Sequence, residues 1–249
     1  MRHICQYTQR VQQIDNQRNA SHANVRTNIH FNNGKKTMIN LHLGDSLQAM
    51  REMATDTYEL AIVDPPYGMG EKAWKGGQLK INGKVQSRAF FDNIKKGAEW
   101  DIAPDIEYFE QLRRVSKNQI IWGGNYFPSI WQHGGRCVIA WDKCQPWPNF
   151  SQIELAWTSY NKPAKLFKFD NRYSGKIHPT QKPVQLYQWL LDQFAKPGDR
   201  IIDTHLGSGS IACACYDSGY ALDAWELDPE YHAKAVARYK EYSRQTKLF

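Results

Sequence analysis

Apolar residues along this chain come in short runs separated by polar loops, and the spacing within them switches between the period of a strand and that of a helix. The run Ile39-Asn40-Leu41-His42-Leu43 alternates and reads as a strand ending in Gly44-Asp45. Leu60-Ala61-Ile62-Val63, Gln119 to Phe127, Val138 to Lys143, Ile153 to Trp157, Ile201-Ile202 and Tyr220 to Trp225 are further strand-length runs, several of them rich in aromatic residues. Ile106 to Val115 reads as a helix between two of them. Tyr187, Leu190, Leu191 and Phe194 lie on one face of a second helix, and the small-residue stretch Ile211-Ala212-Cys213-Ala214-Cys215 reads as a buried third. Strands alternating with helices predict an α/β fold, a mostly parallel sheet with helices on both faces and ligands at the carboxyl ends of its strands.

One strand end carries distinctive chemistry. Asp64-Pro65-Pro66-Tyr67 follows directly on Val63. Its prolines lack N–H groups and fix φ, so the chain leaves the strand as a stiff, extended corner with a backbone carbonyl free. That carbonyl and the Asp64 carboxylate are two acceptors, enough for both hydrogens of one exocyclic amine. Tyr67 adds a flat face for stacking a base. A strand-to-loop turn with two prolines is the plainer reading.

Near the other end, Asp203-Thr204-His205-Leu206-Gly207-Ser208-Gly209 lies between Ile201-Ile202 and the small-residue helix. Strand, glycine turn and helix in that order bring backbone N–H groups to a ligand, a geometry suited to an anion. Glu226 ends the next apolar run, where a ribose-binding acid would sit, although the spacing is not the full dinucleotide fingerprint. A dinucleotide-dependent oxidoreductase shares this segment but has no need of the Asp64 corner. A third segment, His178-Pro179-Thr180-Gln181-Lys182-Pro183, starts the helix of Tyr187 to Phe194. Pro183 suits a first helical turn, with Lys182 and Thr180 as donors for a carboxylate.

Taken in order, these motifs resemble the DNA amino-methyltransferases, in the permuted, beta-type arrangement. The resemblance runs from about Met38 to about Tyr242. It implies a Rossmann-like methyltransferase fold, double-stranded DNA as partner, and S-adenosylmethionine as methyl donor to adenine N6 or cytosine N4. By resemblance, Asp203, Gly207 and Gly209 line the methionine part of the cofactor, and Glu226 takes its ribose hydroxyls. Asp45 accepts from its adenine amine, His178, Thr180 and Lys182 serve the methionine end, and Asp64 borders both ligands. His205 stands where the family usually has an aromatic residue, commonly Phe. The catalytic set is Asp64, Pro65, Pro66 and Tyr67, with the target base flipped out of the duplex onto Tyr67. Asp64 is expected to orient the amine and stabilise its developing positive charge. The Asp-Pro-Pro-Tyr form resembles the adenine branch, since enzymes acting on cytosine N4 more often carry Ser in place of the acid. Gly123-Gly124-Asn125-Tyr126-Phe127 and Trp141-Asp142-Lys143 also resemble elements of phage-associated adenine methylases, with no role assigned. A catalytically silent nucleic-acid-binding module on the same fold is the other class.

Composition narrows the reading. The 249 residues, 41% hydrophobic, suffice for one full core. No apolar stretch has transmembrane length and no signal peptide is recognisable, so a cytoplasmic protein without membrane association is expected. Five cysteines and scattered histidines show no metal spacing. The net charge of +7 is uneven. Residues 1–37 hold Arg2, Arg10, Arg18, Arg26, Lys35 and Lys36 against Asp15 alone, are rich in Asn and Gln and lack Leu. They are expected to be a disordered extension to a methyltransferase domain of residues 38–249. Residues 71–96 hold Lys72, Lys75, Lys80, Lys84, Arg88, Lys95 and Lys96 against Glu71 and Asp92, directly after the Asp64 corner. Positive loops there suit phosphate contacts, so DNA recognition is expected from short segments near 68–101 and 144–177. A cognate restriction enzyme is the protein partner the resemblance implies.

Overall fold

The computed structural model describes residues 27–32, 35–69, 101–145, 151–170, 177 and 180–245. β1 (Thr27–Asn32) and β2 (Lys35–Leu43) lead to α1 (Ser46–Glu52) and β3 (Tyr58–Val63). Then come α2 (Ile106–Val115), β4 (Ser116–Trp122), a 3-10 turn (Gly124–Tyr126), α3 (Pro128–Trp131) and β5 (Val138–Asp142). β6 (Ile153–Thr158), β7 (Lys165–Lys168), α4 (Val184–Phe194), β8 (Arg200–Asp203), α5 (Ser210–Ser218), β9 (Ala221–Glu226) and α6 (Pro229–Arg244) complete the order.

The strands form one sheet in the order β1-β2-β9-β8-β3-β4-β6-β5-β7. β2, β9, β8, β3 and β4 are parallel neighbours, which explains why β3 and β4 read as nearly continuous apolar runs: both of their faces are covered. β1 pairs antiparallel with β2, and β6 runs antiparallel between β4 and β5. From β8 the chain winds outward to β9, and from β3 it winds the other way to β4. The winding therefore reverses between β8 and β3, where Ala61 faces Ile202 in register. Reversal leaves a crevice at the carboxyl ends of these two strands, the standard ligand position of an open α/β sheet.

Two apolar layers hold the sheet. On one face Leu186, Leu190, Leu191 and Phe194 of α4, with Ile211 to Cys215 of α5, pack on Ile39, Leu60, Ile120 and Ile201. On the other, Met50, Phe109, Leu112 and Val115 of α1 and α2 cover Ala61, Val63, Ile121 and Ile202. Asp45 caps α1 by accepting from the backbone of Leu47 at 2.8 Å, and Asp105 caps α2 by accepting from that of Tyr108 at 3.0 Å. Trp122, Trp141 and Trp157 are fully buried, each removing roughly 150–250 Å² from water.

Two strands lie outside the sequence pattern. β1 mixes Thr, Asn and His with its apolar residues, and what makes it a strand is pairing along β2, from Thr27–Asn40 to Asn32–Lys35. The boundary expected at Met38 thus falls inside β2, and residues 27–32 belong to the sheet rather than to a disordered extension. β7, Lys-Leu-Phe-Lys, is an edge strand whose flanking lysines hide its apolar pair from a period count. With β6 it places much of the segment 144–177 in the sheet. The basic residues of 71–96 lie outside the described residues. Because β1 protects the long edge of β2, a chain starting at Met38 is expected to melt several degrees lower than one starting at Thr27, a loss of roughly 1–3 kcal/mol. Thermal unfolding of the two truncated proteins checks this, and equal melting temperatures would remove β1 from the fold.

Candidate active site

The parallel register puts an acid at or just past the carboxyl end of four adjacent strands. Asp203 and Glu226 are the last residues of β8 and β9, Asp64 follows β3, and Asp45 lies two residues beyond Leu43, which pairs with Glu226. The glycine turn after β8 is shaped by two of them. Asp203, buried, accepts from the His205 backbone N–H at 2.9 Å, and Glu226 Oε2 accepts from that of Gly207 at 2.8 Å. Glu226 Oε1 accepts from the Asp228 N–H at 3.0 Å. Gly207 and Gly209 both have φ in the left-handed region, at 52° and 73°. The His205 and Gly207 amides, which the sequence pattern assigns to an anion, are therefore already turned onto carboxylates. This edge is acidic, and among the described residues no ammonium or guanidinium forms an ion pair with Asp203 or Glu226.

The electrostatics agree. Burial, with Asp64 and Glu226 nearby, pushes the Asp203 carboxyl up to about 8, and burial also raises Glu226. His205 is pushed down to about 4 by burial and stays neutral. Its Nδ1 lies 2.9 Å from Thr204 Oγ1, which lies 2.6 Å from the Tyr108 hydroxyl, and its ring meets that of Tyr108 edge-on at 5.5 Å. The residue at 205 is thus a neutral, flat ring held in place by Thr204 and Tyr108.

At the Asp64 corner every group is held. The Tyr67 hydroxyl donates to Asp64 Oδ1 at 2.7 Å, and the Lys182 ammonium donates to Oδ2 at 2.5 Å. The Lys182 side chain is 3% exposed, lies 5.2 Å from the Trp122 ring centre, and reaches Glu154 Oε2 at 3.1 Å. Lys143 in turn pairs with Glu154 Oε1 at 2.6 Å. Burial opposes charge on Lys182, but Asp64 and Glu154 outweigh it and raise its pKa. Burial, reinforced by Asp64 and Glu154, holds the Tyr67 phenol well above its ordinary range, so it remains a donor. The Tyr67 ring stacks on Tyr126 at 4.9 Å and 15°, with Phe127 edge-on at 6.2 Å. Gly123 sits in the left-handed region against this ring, and a Cβ there would collide with it. Beyond Tyr67, the Asp101 carboxylate accepts from the backbone N–H groups of Gly68 and Met69 at 2.8 and 2.9 Å, fixing the exit from the corner.

The structure thus brings Asp45, Asp64, Tyr67, Asp203, His205, Gly207, Gly209 and Glu226 to one edge. Lys182 joins the Asp64 corner rather than standing ready for a free carboxylate, because two protein carboxylates already surround it. Pro183 occupies the cap position of α4, just before its first turn. Thr180 is exposed, and His178 lies outside the described residues. Glu154 and the role of Lys143 escaped the sequence reading. The available signal was an acid in second place of the apolar run Ile153 to Trp157.

The donor set fits S-adenosylmethionine. Buried carboxylates such as Asp203 suit a sulfonium and an ammonium, whereas a pyrophosphate would meet two carboxylates where it needs free amides. Among the described residues no cluster of His, Cys, Asp and Glu could hold a metal ion. The raised Asp203 carboxyl also has a consequence for the ligand-free protein. The folded state holds its proton more tightly than the unfolded chain does, so the group favours folding at low pH and that contribution is lost as pH rises toward 8. Asp203→Asn, which keeps the acceptor for the His205 N–H, is expected to raise the melting temperature at pH 8.5 by several degrees and to change it little at pH 5. Equal shifts at both pH values would show that Asp203 ionises normally.

Comparison with known proteins agrees with this geometry. An N6/N4 family profile described as a DNA methylase matches residues 121–237. YubD of Escherichia coli (strain K12), which carries the name of a methylase, is 36% identical over 214 residues, covering 78% of this chain and 87% of that protein. Among solved structures, PvuII DNA methyltransferase (cytosine-N4-specific) shares the fold with a TM-score of 0.57 at 12% identity, over 91% of this chain and 92% of its own. The complex of M1.HpyAVI with SAM does so with a TM-score of 0.53 at 20% identity, over 81% of this chain and 98% of its own. Sequence relationship, sheet order and the acidic edge together place the chain in the N6/N4 DNA methylase family.

Proposed function

We propose that this DNA methyltransferase moves a methyl group from S-adenosylmethionine to the exocyclic N6 of an adenine flipped out of double-stranded DNA. The observation that carries the reading is the placement of Asp64, on its proline-stiffened corner, across the β8–β3 crevice from Asp203 and Glu226. One side of the crevice is built for the donor and the other for an amine.

S-adenosylmethionine, when bound, supplies an electrophilic methyl on a sulfonium. Glu226 takes the ribose hydroxyls and Asp45 the adenine amine. Asp203 and the Gly207–Gly209 turn line the methionine part, with the His205 ring beside them, and His178 and Thr180 serve its end, while Lys182 stays with the Asp64 corner. Asp64 and the Pro65 carbonyl accept the two hydrogens of the target amine. Accepting both localises the nitrogen lone pair and aims it along the line of transfer. Tyr67, held by Gly123 and Phe127, is the plate on which the extruded base stacks, and its neutral hydroxyl keeps Asp64 oriented. The nitrogen gains the methyl and sheds one proton, and Asp64 stabilises the positive charge between those events.

Cytosine N4 is the runner-up, since the same two acceptors suit either amine. The acid at position 64 and the Gly123 to Phe127 element favour adenine. The basic loop 71–96 is assigned to the DNA backbone, and recognition of a short site to segments near 68–101 and 144–177. DNA as substrate places the reaction in the cytoplasm of a bacterial or phage-infected cell, with a cognate restriction enzyme as the partner class. Mass spectrometry of nucleosides from unmodified DNA treated with the protein and S-adenosylmethionine is expected to show N6-methyladenine. N4-methylcytosine without methyladenine would reverse the choice of base.

A further inference from the structure

Both Asp64 oxygens already accept a hydrogen bond from the protein. Oδ1 accepts from Tyr67 and Oδ2 from Lys182. A carboxylate oxygen has two lone pairs, but an ammonium at 2.5 Å occupies the space beside Oδ2 and withdraws the electron density that the amine needs. An amine that binds at Oδ2 therefore requires Lys182 to move, and a buried ammonium with no second anion to meet would lose several kcal/mol on leaving its partner.

The second anion is present. Glu154 Oε2 lies 3.1 Å from Lys182 Nζ, is inaccessible to solvent, and receives no aligned hydrogen bond. Its sister oxygen is anchored by Lys143 at 2.6 Å, which fixes the carboxylate on β6 and directs Oε2 toward Lys182. Burial pushes Glu154 up, but Lys182 and Lys143 outweigh that and hold it ionised. An ionised, anchored carboxylate whose Oε2 is closed to solvent and lies beside a shared ammonium is arranged to take that ammonium over.

We infer that Glu154 is a positioning residue for methyl transfer: it draws the Lys182 ammonium off Asp64 when the target amine enters, so that Asp64 can bind the amine. Lys143 holds Glu154 in place for this exchange. The inference rests on the proposed role of Asp64 as acceptor of the target amine. Without Glu154, Lys182 stays on Asp64 and competes with the base. The defect belongs in the methyl-transfer step and not in cofactor binding.

The test is single-turnover methyl transfer at saturating S-adenosylmethionine and saturating unmodified DNA, with cofactor affinity measured by titration. Glu154→Gln is expected to slow transfer by about tenfold or more, the scale of one charge-assisted hydrogen bond, with cofactor affinity within about twofold of the parent. Glu154→Asp keeps the charge and the Lys143 pair but shortens the reach to Lys182, and it is expected to show the same split should Glu154→Gln not fold. Acting through Lys182 also predicts strong non-additivity: in a Lys182→Met background, Glu154→Gln should slow transfer little further. A merely structural Glu154 would lower cofactor affinity together with transfer, and its loss would add in full to that of Lys182→Met; either result overturns the inference. Asp64→Ala, measured alongside, separates the two levels. If Asp64→Ala retains near-normal transfer, the amine-acceptor reading itself fails. If Asp64→Ala is inactive but Glu154→Gln transfers normally, only the role of Glu154 fails.

Discussion

The buried ion pair between Lys182 and Asp64 is the contact on which the rest of the site depends. It joins the segment before α4 to the corner after β3, two pieces 118 residues apart in sequence, inside a wall of Trp122 and Tyr67. Removing one partner of such a pair typically costs about 3–5 kcal/mol, because the other charge is left uncompensated in a low-dielectric setting. The price is tolerable here because Glu154 and Lys143 extend the pair into a chain of alternating charges. The corner is thereby rigid enough to orient an amine and polar enough to exchange partners.

The sheet explains why the donor and acceptor chemistries meet at this corner. Five parallel neighbours share one carboxyl edge, and the winding reverses between β8 and β3. On the β8 side, Asp203 and Glu226 fold a glycine turn around themselves. On the β3 side, two prolines stiffen the corner that carries the Asp64 carboxylate. In the proposed reaction the cationic methyl donor belongs to the first half and the target amine to the second. The raised carboxyl of Asp203 follows from the same arrangement, since burial first, and then the neighbouring acids Asp64 and Glu226, disfavour its ionisation.

Most of this was legible in the sequence wherever chemistry and periodicity coincide. Val63-Asp64-Pro65, Ile202-Asp203 and Trp225-Glu226 each mark an apolar run ending in an acid, and Gly44-Asp45 closes the alternating run from Ile39, so all four carboxylates could be placed before any coordinates. The helix Ile106–Val115 and the buried face of α4 follow from spacing alone. β1 and β7 were not legible, because edge strands take their structure from a neighbour's backbone and carry few apolar residues. The destination of the turn amides was not legible either, since it depends on side chains meeting across β8 and β9. Glu154 was hidden for a third reason: an acid in an apolar strand has meaning only beside the lysines that tertiary structure brings to it.

The most direct measurement of the central claim is a crystal structure of the protein with an unreactive analogue of S-adenosylmethionine and an oligonucleotide carrying an extrahelical adenine. The account predicts the exocyclic nitrogen within about 3 Å of both an Asp64 carboxylate oxygen and the Pro65 carbonyl, the base against Tyr67, and the Lys182 ammonium transferred to Glu154. A bound adenine whose amine lies away from Asp64, with Lys182 still seated on that carboxylate, would contradict it.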